Sequence, residues 1–161
     1  MIHVISIKII KATEKFVSEI VKLWKELSDH HSNIDSFFTR REDGHINFKS
    51  FVTELIKSEE ATIFVAIEDE KIIGYTIAKI DHYPPVYLLE KYGAIYDIFV
   101  ALKHRKKGIG KKLWQESLKW FKNLGLERVE LSIVPNNPES SSFWKKQGFK
   151  DYMHKLFIKI K

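Results

Sequence analysis

The residues from Ile95 to Lys112, IYDIFVALKHRKKGIGKK, carry the spacing in this sequence that most directly suggests chemistry. Ile95–Ala101 is apolar and rich in Ile, Phe and Val apart from one acid, Asp97, which is the pattern of a buried strand. Leu102–Lys107 is a basic turn with no acidic residue. Gly108-Ile109-Gly110 then opens a helix whose apolar positions Ile109, Leu113, Leu118, Phe121 and Leu124 recur at near-helical spacing. Strand, glycine turn and helix start together aim backbone N–H groups at an anion. Glycine permits close approach, and a helix N-terminus carries roughly half a positive charge. Six of the ten residues from Lys103 to Lys112 are Lys or Arg, which adds long-range attraction for the same anion. The expected guest bears phosphate.

The phosphate loop of ATPases and GTPases requires G-x-x-x-x-G-K-[ST], and Gly108 has no such partners. The dinucleotide fingerprint G-x-G-x-x-G fails at Leu113. What remains is Arg105-x-x-Gly108-x-Gly110 after a strand ending in Val100. Downstream, after a further apolar run at 129–134, comes Asn137-x-x-Ser140-x-x-x-Trp144-x-x-x-Gly148-Phe149. These two motifs resemble the signatures of the GNAT superfamily of acyl-CoA-dependent N-acetyltransferases, Q/R-x-x-G-x-G/A and N-x-x-A-x-x-x-Y-x-x-x-G-F. The resemblance spans roughly Ile95–Tyr152 and is silent on the acceptor.

The resemblance implies acetyl-CoA as cosubstrate and direct transfer of its acetyl group to a primary amine in a ternary complex. It assigns backbone groups of Phe99, Val100 and Leu102 to the pantetheine arm. Arg105, Lys106, Lys107, Gly108, Ile109, Gly110 and Lys111 fall to the pyrophosphate. Asn137 contacts the cofactor arm in the family, although as a helix cap it already has a structural reason to be there. Asp97 takes the place of the acid that receives the amine proton; a register offset of one would put Tyr96 there. Trp144 departs from the pattern. It occupies the position of the tyrosine that reprotonates the leaving thiolate, and an indole cannot do so at neutral pH. Trp144 is assigned to cofactor contact, and proton return falls either to water or to another donor, for which Tyr152 is the candidate with His154 close by.

The runs Tyr96–Val100 and Ser142–Lys146 look somewhat like polyamine acetyltransferases, so a small amine or polyamine is the expected acceptor. A protein N-terminus or lysine is the alternative. From other classes come a CoA-binding sensor without catalysis and a nucleic-acid-binding module. The latter would need aromatics interleaved with the basic residues, and 103–112 has none.

The elements that must position these residues follow from the rest of the chain. Its 161 residues are the size of one domain, so 1–161 is expected to be a single acetyltransferase domain. With no Cys, an acyl-cysteine intermediate is excluded, and no thiolate metal site is available. No apolar run approaches the ~20 residues of a membrane span, and MIHVISIKII reads as a first strand, Ile2–Ile10, not a signal peptide. A cytoplasmic protein without metal, nucleic acid or membrane partners is expected, with a homodimer allowed for.

Thr13 and Glu14 begin a helix with the stripe Phe16, Ile20, Leu23, Trp24 and Leu27. The polar stretch Asp29–Gly44 reads as a mobile loop over the substrate site. Its histidines show no helical i, i+4 pair or H-E-x-x-H pattern that would favour a metal. Phe48–Ser58 is a second helix. Ala61–Ile67 and Lys71–Ile80 form a hairpin around Glu68-Asp69-Glu70, with Gly74 marking a bulge or a close approach. His82–Gly93 contains Pro84-Pro85 and is a loop whose Tyr83, Tyr87 and Tyr92 either line a pocket or pack the loop down. Arg128–Val134 is a strand. Asn137 and Pro138 start the last helix, and Phe149–Lys161 supplies one or two closing strands. The expected fold is α+β: a GNAT-type mixed, mostly antiparallel sheet of six to seven strands, flanked by about four helices and splayed at its central strand.

Overall fold

In the computed structural model, which describes residues 6–160, the hairpin signals and apolar alternation become one five-stranded sheet. Its strands are β1 (Lys8–Lys11), β2 (Ala61–Glu68), β3 (Lys71–His82), β4 (Lys91–Val100) and β5 (Val129–Glu130), side by side in chain order. The first three pairings are antiparallel and β4–β5 is parallel. Four α-helices accompany the sheet: α1 (Val17–Ile34), α2 (Gly44–Lys57), α3 (Ile109–Asn123) and α4 (Pro138–Lys146). The chain divides after Leu131 into two compact units, the first holding the sheet with α1, α2 and α3 and the second beginning at Ser132.

The first unit is layered on both faces of its sheet. Phe16, Ile20, Leu23 and Leu27 before and along α1, with Phe48, Val52 and Leu55 of α2, pack on Ile63, Val65, Tyr75, Ile77 and Phe99. On the other face Ile109 and Leu113 of α3 meet Ala66 and Ile73, with Ile98 and Val100 beside them. Period-3.6 stripes lie against period-2 alternation, so each helix buries one side and leaves its charges in water. The hairpin turn at Asp69-Glu70 has both central residues at positive φ, 48° and 65°, the type I′ geometry that matches strand twist. Gly74 sits at a register shift, and a Cβ there would lie 2.9 Å from the Phe99 carbonyl oxygen. Both expectations for that glycine hold. Among the described residues no helix is long and apolar enough to cross a membrane.

Several boundaries differ from expectation. Asp29–Ile34 continues α1 instead of joining the loop; the helix stops where Asp35 turns extended and its side chain caps a 3₁₀ turn, Ser36–Phe38, by accepting from Phe37 N at 2.9 Å. Thr13 makes no side-chain cap and starts a 3₁₀ turn, Glu14–Phe16, ahead of α1. Residues 2–5 of the expected first strand lie outside the described residues. The sheet has five strands, not six to seven. The strand expected over Arg128–Val134 pairs only at Val129 and Glu130, and 149–160 forms no strand among the described residues. Both segments have strand-forming composition, but β-propensity yields a strand only where a neighbouring chain completes the ladder.

Candidate active site

The register of β3 against β4 builds the acid side of the site. Ile77 faces Asp97, while Ala78 faces Ile95, so Tyr96 is an extra residue in β4. Such a bulge bends its strand and re-aims the side chains around it. Here neighbours that would otherwise point to opposite faces both reach the α1–α2 side. The Tyr96 ring stacks on Phe51 of α2 (centroids 6.3 Å apart, planes at 21°). Asp97 Oδ2 accepts a hydrogen bond from Tyr75 Oη at 3.0 Å. Tyr75 is fully buried in the helix-side core, and the hydroxyl of buried Thr76 donates to the Asp97 carbonyl oxygen at 2.9 Å.

Burial disfavours the charged form of Asp97 and raises its pKa to about 6, against the opposing pull of the Tyr75 hydrogen bond. Burial, and then the charge and hydrogen bond of Asp97, push the Tyr75 phenol well above its ordinary value. Tyr75 is therefore a fixed donor. Asp97 becomes a carboxylate that changes state near neutrality, the range in which a general base is useful.

Tyr96 is 44% exposed and donates to both oxygens of Asp81, at 3.2 and 3.1 Å. Lys79 Nζ lies 5.1 Å from the centre of the Tyr96 ring and 3.8 Å from Asp81 Oδ1. An alkylammonium thus already rests against this aromatic–carboxylate pair. Further along, Tyr83 stacks on Tyr92 (4.4 Å) and donates to Glu130, which Arg128 also meets at 2.8 Å. Tyr83 and Tyr92 hold the 83–90 loop down; Tyr87, exposed, leans edge-on against Tyr83.

The anion side lies beyond the other end of β4. Parallel pairing to β5 covers only Gly93–Val129 and Ala94–Glu130, so on that side the backbone of 95–100 carries no ladder among the described residues. A 3₁₀ turn, Leu102–His104, leads to Lys106 at φ 60° and to Gly108 at φ 76°, the N-cap of α3. The helix start has no side-chain cap and no acid in its first turn. The N–H groups of Ile109, Gly110 and Lys111 therefore remain for an outside acceptor. A Cβ built on Gly108 would meet nothing within 4 Å, which leaves open room above the turn. Lys106, Lys107 and Lys111 are exposed around it. Arg105 instead folds inward: its Nε donates to the Val100 carbonyl at 2.9 Å and its guanidinium lies 5.2 Å from the Phe99 ring centre. Phe99 is buried, Val100 partly so, and Leu102 is exposed.

The model of the Acetyltransferase (GNAT) family matches residues 19–149. The chain belongs to that family. An N-alpha-acetyltransferase from Sulfurisphaera tokodaii is 33% identical to it over 106 residues, a match that covers 63% of this chain and 64% of that protein's length. Among solved structures, a mutant of the BH1408 protein from Bacillus halodurans superposes with a TM-score of 0.86 at 20% identity, over 95% of this chain and 99% of that one. The aminoglycoside N-acetyltransferase AAC(6')-Iy in complex with CoA gives 0.79 at 20% identity, over 99% and 98%. At such identities the structural likeness is one of fold.

Of the residues assigned from the GNAT motifs, the first unit brings together Asp97, Phe99, Val100 and the 102–111 turn along one strand and its exit. The others belong to the second unit. Asn137 caps α4, its side chain accepting from Ser140 N at 3.2 Å, with Pro138 following. Trp144 is buried and packs edge-on to Phe143 (4.9 Å) and Phe149 (5.0 Å). Tyr152 lies in the extended stretch after α4 and is 68% exposed. Sequence reasoning missed Tyr75, Phe51, Lys79 and Asp81. For Tyr75 a signal exists: a phenol inside the apolar run KIIGYTIAKI must find a hydrogen-bond partner once buried.

Proposed function

We propose that this GNAT chain transfers the acetyl group of acetyl-CoA directly to a primary amine, with Asp97 receiving the amine proton. The observation that carries the reading is the half-buried Asp97 carboxylate, held by buried Tyr75 and re-aimed by the Tyr96 bulge, on the strand whose far end runs into the uncapped glycine turn. The residues present fit the cosubstrate. Open room above Gly108, free first-turn N–H groups and three exposed lysines suit a pyrophosphate. The unladdered backbone of 95–100 offers hydrogen bonds to an extended arm. Acetyl-CoA supplies the activated acetyl group, whose carbon the amine attacks as the bond to sulfur breaks.

The chain's own work is then positioning and proton handling. Asp97 is about nine-tenths ionised at pH 7 if it titrates near 6. It accepts the proton that the attacking nitrogen loses, while Tyr75 holds its carboxylate in place. The indole N–H of Trp144 is too weak an acid to protonate the thiolate. That step falls to Tyr152 or to water, and a Tyr152→Phe variant with unchanged kcat assigns it to water.

Base strength bears on the acceptor. A peptide α-amine, with an ordinary pKa of about 7.7–8.0, lies roughly 2 units above Asp97. An alkylammonium near 10.4 lies roughly 4 above, and each unit is about 1.36 kcal/mol. That gap favours a peptide α-amine, as does the likeness to the Sulfurisphaera tokodaii N-alpha-acetyltransferase. A small amine or polyamine is the second reading. It is favoured by the Tyr96–Asp81 pair, against which an ammonium group already rests. Thiol release from acetyl-CoA, measured against a panel of peptides and of di- and polyamines at pH 7–8, separates the two. Turnover with neither, together with no acetyl-CoA-dependent rise in melting temperature, overturns the enzyme reading.

A further inference from the structure

Tyr96 and Asp81 together make a seat for a cation. The phenol donates to both carboxylate oxygens, at 3.2 and 3.1 Å, and its ring stacks on Phe51 of α2 at 6.3 Å. An aromatic face beside a carboxylate is the arrangement that holds an ammonium group. Lys79 fills the seat from within the chain. Its Nζ lies 5.1 Å from the Tyr96 ring centre and 3.8 Å from Asp81 Oδ1. The side chains of Lys79 and Asp81 keep only 27% and 25% of their surface in water, so solvent screens their charges less than it would those of an exposed pair. Strand geometry gives Lys79 its place. Ile77 faces Asp97 across β3–β4 and packs in the α1–α2 core, and Lys79, two residues on, shares that face. This is the side to which the bulge also turns Tyr96.

Resting on the reading of Asp97 as the group that receives the amine proton, we propose that Lys79 sets acceptor choice by occupying this seat. The enzyme admits a lone amine and rejects an acceptor that carries a second ammonium group. Tyr96 and Asp97 are adjacent in β4, so an acceptor whose amine reaches Asp97 brings its next substituent towards Tyr96. A second ammonium group there meets the Lys79 charge at close range and finds the ring and the carboxylate taken. Repulsion of this kind discriminates between substrates without any new contact to the favoured one. A peptide α-amine followed by an uncharged side chain meets no such repulsion. The acceptor class is then primary amines that are uncharged beyond the reacting nitrogen. Diamines and polyamines are turned away by Lys79, not for want of a surface that suits them.

The test compares butylamine with the diamine of the same chain length, and a peptide pair that differs only in Met or Lys at the second residue, on the full chain. Thiol release from acetyl-CoA gives the ratio of kcat/KM for the doubly charged to the singly charged member of each pair. Lys79→Met keeps the stem and removes the charge, and Lys79→Gln does so with a polar end. In both variants the ratio should rise about 10-fold or more over wild type. Adding Asp81→Asn to Lys79→Met should take that gain away. A ratio that stays at the wild-type value or falls in both lysine variants overturns the proposal, and so does a gain that survives Asp81→Asn. Calorimetry with the diamine and no acetyl-CoA reads the seat apart from the chemistry: Lys79→Met should bind it about 10-fold or more tightly than wild type does. Tighter binding with no turnover of any amine supports Lys79 as the occupant of the seat and overturns the amine-transfer reading. Turnover with unchanged ratios and unchanged binding does the reverse.

Discussion

The two ends of β4 handle charge in opposite ways. At Tyr96–Asp97 one carboxylate is withdrawn from water, held by a buried phenol, and its protonation is set by packing. Beyond Val100 the chain gathers lysines in water around a helix start with no cap, and what the proposed reading offers an anion there is backbone. In the first region a side chain's identity decides the chemistry. In the second, on the proposed reading, backbone conformation decides it and the exposed side chains matter less. Substitutions of similar size should therefore have unequal effects at the two ends.

The largest effect is expected at Asp97. Asp97→Asn keeps shape and a hydrogen-bonding partner for Tyr75 but removes the base, so kcat should fall about 10²–10⁴-fold with acetyl-CoA affinity unchanged. A variant that raises KM and leaves kcat intact would make Asp97 an attractor of cations and not a base. The same substitution should stabilise the fold. Asp97 titrates near 6 in the folded chain and at 3.8 in the open one, so the fold favours its neutral form. That preference is harmless below pH 3.8, becomes a cost as pH rises from there to about 6, and reaches on the order of 2–3 kcal/mol at pH 7. Denaturant melts should show Asp97→Asn more stable than wild type at pH 7 and nearly equal to it at about pH 3.

At the turn, Gly108→Val should weaken acetyl-CoA binding by about 100-fold or more, measured by calorimetry, while the protein stays folded. The added side chain meets nothing in the protein and costs about 1–2 kcal/mol of left-handed strain, but it stands where the proposed reading puts a phosphate. Normal binding would remove the turn from the site. The paired lysines should matter less. Lys106→Ala/Lys107→Ala should cost about 3–10-fold in affinity at low salt, and the difference should shrink as salt screens their exposed charges.

How much was legible in the sequence follows the same division. The glycine turn could be read because its physics is local: spacing, glycine and the start of a periodic stripe fall within twenty residues. Asn137 and Pro138 at the start of α4 were legible for the same reason. The acid end was legible only at Asp97. Tyr75 is twenty-two residues away and reaches Asp97 through strand register, and a single-residue bulge that no local composition marks sets that register at Tyr96. The closing strands were misplaced because pattern alone cannot say whether a β-prone segment has a neighbour. Trp114, buried on α3, is not among the expected apolar positions, whereas Leu118 is only half-buried and Leu124, past the end of the helix, is exposed.

The smallest effect at neutral pH, and the one that most sharpens the contrast between the two ends, belongs to Tyr75→Phe. The variant preserves the ring that fills the core and deletes only the hydroxyl that donates to Asp97. Because that bond holds the Asp97 pKa down, losing it moves the pKa further up. A hydrogen bond to a charged group is worth about 1.5 kcal/mol or more, hence roughly one unit. If wild-type Asp97 titrates near 6, activity at pH 7 should fall only about twofold, whereas at pH 5 it should fall about tenfold. The acid limb of kcat/KM should shift to higher pH with the plateau nearly unchanged. A purely structural role for Tyr75 would lower the plateau and leave the limb where it was. No substitution at the glycine turn should move that limb at all, because nothing there governs the proton on Asp97.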